Sequence, residues 1–112
     1  MQQFTEHEVS GVVVVAATGA VDMLTAPQLQ EVVTAVVERN PVGLIIDLTD
    51  VDFLGSAGMQ VLMVTRNMVA GAFRLAVVAD GPATSRPLKI TGVADYIDLF
   101  SSLDVALKNL AG

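Results

Sequence analysis

The sequence contains no cysteine, and His7 is the single histidine among its 112 residues. Without thiols the chain can form no disulfide, no thiolate metal site and no thiol-based redox sensor. One imidazole cannot build a histidine metal site by itself. These two absences predict a protein that holds no metal through the side chains most often used for transition metals.

Positive charge is also scarce, since six lysines and arginines stand against twelve aspartates and glutamates, for a net charge of −6. Such a chain would be repelled by nucleic acid phosphates and by an anionic membrane surface. No apolar run approaches the roughly 20 residues of a transmembrane helix. The first residues carry Glu6 and Glu8 but no lysine, unlike a signal peptide. We expect a cytoplasmic protein that binds neither nucleic acid nor membrane.

Aromatic residues make up 4% of the chain, whereas apolar residues make up 53%. A core of Val, Leu, Ile, Met and Ala in one domain spanning residues 1–112 follows from this length and composition. Only 16% of the residues are charged, so some apolar surface should remain exposed for contact with a partner.

The hydropathy pattern predicts the element order β-β-α-β-α-β-α-β-α. This order is typical of an α/β domain with a mixed, mostly parallel sheet of four to five strands and about four helices. The first helix should begin at a capping box, Thr25-x-x-Gln28, with Val33 on its buried stripe. The predicted strands are Gln2–Val9, Val12–Ala17, Leu44–Leu48, Phe73–Ala79 and Ala94–Phe100, and the later helices begin near Ser56, Ser85 and Ser101 or Ser102.

The centre of the chain joins a buried strand, which includes Ile45, to a helix through the tetrad Gly-Ser-Ala-Gly at residues 55–58. Three carboxylates, Asp47, Asp50 and Asp52, are predicted in this connection. Ser56 is predicted at the helix N-cap, where its hydroxyl would lie near the free amides of the first turn. A hydroxyl there can serve as a cap, as a nucleophile or as a phosphate acceptor.

Enzymatic roles fit the sequence poorly. A nucleophile elbow requires glycine where Leu54 stands, and His7 precedes the serine instead of following it. No phosphate-binding loop follows a strand. Asp50 and Asp52 could bind Mg²⁺, but loop aspartates more often solvate a turn. We therefore expect no catalysis, no tight nucleotide binding, no retained metal and no cofactor.

N-cap serines are common and few of them are regulated, so a plain cap is the default interpretation of Ser56. Two features favour a functional serine instead. The apolar residues Phe53, Leu54 and Met59 flank a polar turn, which a cap alone does not require. Asp22 and Asp52 should lie at the same end of the sheet as Ser56, where parallel α/β domains place their sites.

The sequence resembles the STAS domain family. The resemblance covers nearly the whole chain and depends on Gly19–Asp22 with Thr25–Pro27, Ile46–Leu48, Val51–Gly58, Phe73–Leu75 and Ile90–Val93. A free-standing STAS domain of this length is similar to the bacterial anti-sigma factor antagonists.

The resemblance implies how such a protein works. In that family an anti-sigma factor that is also a serine kinase binds the unmodified antagonist and releases a sigma factor. The kinase later phosphorylates a serine that falls here on Ser56, and a metal-dependent serine/threonine phosphatase reverses the step. Gly55 stands where the best-known members carry aspartate, and Ala57 replaces the second serine of their pair.

The resemblance also implies a contact face and an oligomeric state. We expect a monomer or weak dimer. A scaffold subunit of a stress-signalling or membrane-transport assembly is the alternative, and a small ligand-binding protein would need a concave apolar pocket. The expected contact residues are Asp22, Leu24, Thr25, Gln28, Gly55, Ser56, Ala57, Gly58, Met59 and Gln60.

Overall fold

Five strands form one sheet whose spatial order is the same as their order along the chain. The structure is a computed structural model that describes residues 2–111. β1 is antiparallel to β2, and the remaining neighbours are parallel. This topology confirms the predicted mixed, mostly parallel sheet and element order. The elements are β1 Phe4–Val9, β2 Val12–Val21, α1 Ala26–Glu38, β3 Gly43–Leu54, α2 Ser56–Val69, β4 Arg74–Val78, α3 Ser85–Ile90, a 3₁₀ turn Val93–Tyr96, β5 Asp98–Phe100 and α4 Leu103–Ala111.

Helices α1, α2 and α3 pack on one face of the sheet and enclose the larger part of the core. The stripe of α1 predicted from its 3.6-residue period is buried there, with Leu29, Val33 and Val36 fully inaccessible. Leu62 of α2 and Leu88 of α3 join the same cluster. The burial predicted for Val33 is therefore confirmed.

Helix α4 covers the opposite face of the sheet. Its inward residue Ala106 packs with a second apolar cluster that includes Ile45 of β3, whose predicted burial is confirmed. The Val105 N–H donates to Ser102 Oγ at 3.3 Å, so Ser102 is the serine that caps this helix. One helix thus shields the whole second layer.

The two central strands run further than their sequence pattern predicts. β3 continues to Leu54 instead of ending at Leu48, and β2 continues to Val21. β4 pairs with β3 only as far as Asp47, so the rest of β3 pairs with β2 alone. Beyond Asp47 one edge of β3 has no neighbouring strand, and Asp52 lies exposed in this part of the strand. The prediction that Asp50 and Asp52 lie in a turn is wrong, because both belong to β3.

Three local predictions also need correction. Thr25 is the N-cap of α1, but its side chain makes no capping bond in the described part of the chain, so the capping box is wrong. Gly55, not Ser56, is the N-cap of α2, and Ser56 is the first helical residue. The segment from Ala94 is a 3₁₀ turn before the short strand β5.

Candidate functional site

The carboxyl ends of β2 and β3 bring two separate parts of the chain side by side. Val21 pairs with Leu54, and the Gly55 N–H donates to the Val21 carbonyl oxygen at 2.9 Å. The next residues, Asp22 and Ser56, therefore leave the sheet as neighbours. Both line one depression of about 580 Å³. Asp22 and Ser56 were predicted to lie at the same end of the sheet, and the pairing of β2 with β3 brings them together there.

The turn after β2 is held in shape by its own side chains. Asp22 Oδ1 accepts hydrogen bonds from the backbone N–H groups of Thr25, at 3.1 Å, and Leu24, at 2.9 Å. These two donors hold the pKa of Asp22 below its ordinary value, so its carboxylate is ionised at neutral pH. The Thr25 hydroxyl donates to the Ala20 carbonyl oxygen at 2.9 Å and accepts from the Asp22 N–H at 3.0 Å. Thr25 thus fixes the turn from behind.

Ser56 is exposed at the start of α2. In the part of the chain that the structure describes, no side chain caps this helix, and its first turn contains no acidic residue. The first amide groups of a helix have no intrahelical partner, and together with the helix dipole they favour negative charge. Asp22, however, already places a carboxylate across the same depression. An anion on Ser56 would be supported by its helix and opposed by its neighbour.

Exposed apolar side chains surround this polar centre. Met23 and Leu24 are 78% and 79% accessible, and Phe53 is 54% accessible. Clustered exposed apolar groups make this end of the sheet a candidate surface for contact with another protein. Leu24 was expected there from the sequence. Met23 and Phe53 were not among the expected contact residues. Both are large apolar residues with polar neighbours in the sequence, and that pattern could have indicated them.

The comparisons with known proteins identify the family of this chain. The model of the STAS domain matches residues 3–106. The chain belongs to the STAS domain family. This STAS domain is 39% identical over 103 residues to the anti-sigma-F factor antagonist RsfB of Mycobacterium tuberculosis, across 92% of this chain and 84% of the relative.

Solved structures place the fold in the same family. The crystal structure of an anti-sigma factor antagonist from Mycobacterium paratuberculosis has a TM-score of 0.93 and 39% identity, covering 97% of this chain and 93% of that one. The Bacillus cell fate determinant SpoIIAA in its phosphorylated form has a TM-score of 0.71 and 15% identity, covering 95% and 97%. The second likeness concerns the fold alone.

The remaining residues expected at the contact face of this STAS domain differ in accessibility. Gln28 and Gln60 are exposed, whereas Ala57 and Met59 are half-buried. Gly58 is buried, and a Cβ there would lie 2.7 Å from Leu54 Cδ1 and 2.8 Å from Val21 Cγ1. Gly58 therefore lets α2 approach the ends of β2 and β3. It packs the site from beneath and is not itself available to a partner.

Replacing Gly58 with alanine should lower the free energy of unfolding by up to about 2 kcal/mol. Crowding a packed core costs about 1–3 kcal/mol, and the roughly 1 kcal/mol that alanine contributes to a helix over glycine offsets part of that cost. Asn67→Ala is the control, because it changes mainly helix propensity at an exposed position of the same helix. Urea denaturation of both variants measures the difference. Equal stabilities would contradict the packing role of Gly58.

The structure also bears on the other chemistries considered. Among residues 2–111 no group of three His, Asp or Glu side chains is arranged to hold a metal ion. His7 is exposed on β1 opposite Val14, in a different part of the sheet from the end that carries Ser56. Within the same residues no helix is long and apolar enough to cross a membrane.

Proposed function

We propose that this STAS domain is an anti-sigma factor antagonist switched by phosphorylation of Ser56. Its unmodified form binds an anti-sigma factor with serine kinase activity, and the bound sigma factor is released. A serine/threonine phosphatase restores the binding form. The observation that carries the proposal is the exposed Ser56 hydroxyl on an uncapped helix end, next to Asp22 and among the exposed side chains of Met23 and Phe53.

The relatives support this role. RsfB is named as an antagonist of the anti-sigma-F factor, and it is 39% identical to this chain. SpoIIAA has been solved in both unphosphorylated and phosphorylated forms, and its fold is the same. The family acts by binding and not by catalysis, so we assign the ATP site and the phosphoryl transfer to the partner. We place the protein in the cytoplasm, as a monomer or weak dimer.

The contact surface is suited to a reversible complex. Its exposed apolar side chains supply area that becomes buried on binding, and the fixed Asp22 carboxylate supplies a charge that selects a complementary partner. The hydroxyl of Ser56 is small and neutral, and a partner can cover it at little cost. A phosphate at the same atom adds roughly −1.5 to −2 charges at neutral pH.

The test uses the purified anti-sigma factors of the organism that encodes this chain, with the anti-sigma-F factor of Mycobacterium tuberculosis as a reference. Calorimetry without ATP is expected to find binding, and incubation with ATP is expected to abolish it while mass spectrometry finds phosphate on Ser56. Treatment with the phosphatase should restore binding. No binding by any factor, or phosphate on Thr25 or Ser85 instead, would overturn the proposal.

A further inference from the structure

A second depression, of about 430 Å³, lies on the far side of Phe53 from Ser56. One wall is the end of β3, and the opposite wall is α3 with the loop before it. Because Phe53 lines both depressions, they form one continuous surface with the exposed ring as the ridge between them. The second depression is lined by Asp52, Phe53, Leu54, Pro82, Ala83, Arg86, Pro87 and Ile90.

Arg86 is the cation that lines the second depression. Two of the six cations are paired, Arg39 with Glu6 and Arg74 with Asp98. Arg86, like Arg66, Lys89 and Lys108, has no carboxylate within salt-bridge distance among residues 2–111. Its guanidinium remains available at the rim of the depression, where it offers five donors to a carboxylate of another molecule.

Ile90 supplies an apolar surface on the same wall. Its side chain is 72% accessible, which is unusual for an isoleucine at the end of a helix. Phe53 faces it across the depression with 54% of its surface accessible. The pair leaves an apolar cleft open to solvent, which Asp52 of β3 and Arg86 of α3 also line.

Helix α3 packs on the same core as the Ser56 helix. Leu88 of α3 is fully inaccessible and belongs to the cluster that contains Leu62 of α2. At the end of α3 the Thr91 hydroxyl lies 3.5 Å from Met59 Sδ of α2. Both depressions therefore lie on elements that share one core, and one partner can cover Ser56 and α3 together.

We propose that the anti-sigma factor also docks in this second depression, through an apolar side chain followed by a carboxylate. The apolar side chain enters between Phe53 and Ile90, and the carboxylate pairs with Arg86. Asp52 on the opposite wall repels an acid and so fixes the direction of the segment. This inference rests on the proposed function, since the same partner covers Ser56. The docking site adds the positive charge of Arg86 to the negative charge of Asp22, and this second charge helps the surface to select among anti-sigma factors.

Two substitutions test the docking site, each with a matched control on α4, which covers the other face of the sheet. Arg86→Glu and Ile90→Ser should each weaken binding of the anti-sigma factor by about tenfold or more, as expected for a charge and an apolar residue that a partner covers. Lys108→Glu and Val105→Ser make the same changes on exposed α4 positions and should leave the affinity within about twofold. Melting temperatures of all four variants should stay close to wild type, because the altered side chains are exposed.

Salt separates the two contributions. The loss caused by Arg86→Glu should shrink as ionic strength rises, since exposed charge pairs are screened, whereas the loss caused by Ile90→Ser should persist. If wild type binds and Ser56→Asp does not, but Arg86→Glu and Ile90→Ser bind as tightly as wild type, the docking site is wrong and the proposed function stands. If wild type binds no anti-sigma factor, both are wrong.

Discussion

Replacing Ser56 with aspartate is expected to weaken binding of the anti-sigma factor by about 100-fold or more, equivalent to about 2.7 kcal/mol. Ser56 and Asp22 line the same depression, so the new carboxylate would be enclosed by the partner beside one that is already ionised. A buried charge without a compensating partner is expensive, and a second charge of the same sign adds repulsion. Aspartate carries less charge than phosphoserine, so phosphorylation should have a larger effect.

The stability of the domain should hardly change in the same variant. Ser56 is exposed and is the first residue of α2, where a negative charge gains about 0.3–1 kcal/mol from the helix dipole. Ser56→Ala should bind as wild type does and keep its stability, because the serine side chain makes no capping bond in the described chain. The position of the N-cap at Gly55 thus removes the cost of about 1 kcal/mol that a lost N-cap would carry.

The decisive measurement is partner affinity beside thermal melting for wild type, Ser56→Ala and Ser56→Asp. Asn67→Asp is the matched control for affinity, since it adds the same charge at an exposed position near the other end of α2, where the helix dipole should lower its stability by about 0.3–1 kcal/mol. Affinity for Ser56→Asp equal to that of wild type would refute the switch. A large fall in its melting temperature would mean that the domain loses its structure instead of being blocked at its surface.

Truncation of the core should have the largest effect on stability. Ile45→Ala and Val33→Ala are each expected to lower the free energy of unfolding by about 1–4 kcal/mol, with Ile45 the larger because it loses more atoms. Each side chain is fully inaccessible, and they lie on opposite faces of the sheet. Each substitution therefore leaves a cavity in a different layer, and the two costs should add in the double variant.

Chemical denaturation with urea measures both effects. Val42→Ala is the control, because Val42 is 61% accessible and its truncation should cost no more than about 0.5 kcal/mol. Changes below a few tenths of a kcal/mol for both Ile45 and Val33 would contradict the two-layer core.

The sequence by itself determined the order of the elements and the burial of Val33 and Ile45. Strand and helix periods differ, so the β-branched run of β2 and the stripe of α1 each predict their own structure from local pattern. The burial of Val33 and Ile45 follows from the same patterns, because the hydrophobic effect acts on every residue along the chain. Acidity and the absence of cysteine argued against nucleic acid, membrane surfaces and thiolate metal sites, and the family motifs predicted the binding role.

Only the tertiary structure decided how the site is built. The residue at which β3 ends depends on its pairing with β2, which joins residues far apart in the chain. Acidic residues whose local pattern predicts a turn therefore lie within a strand. That extension moves the N-cap to Gly55 and leaves the Ser56 hydroxyl free. The approach of α2 to Val21 then buries Gly58 and brings Asp22 next to Ser56. Local sequence encodes propensity, but it does not encode which backbone groups far apart in the chain will pair, and that pairing positions the serine.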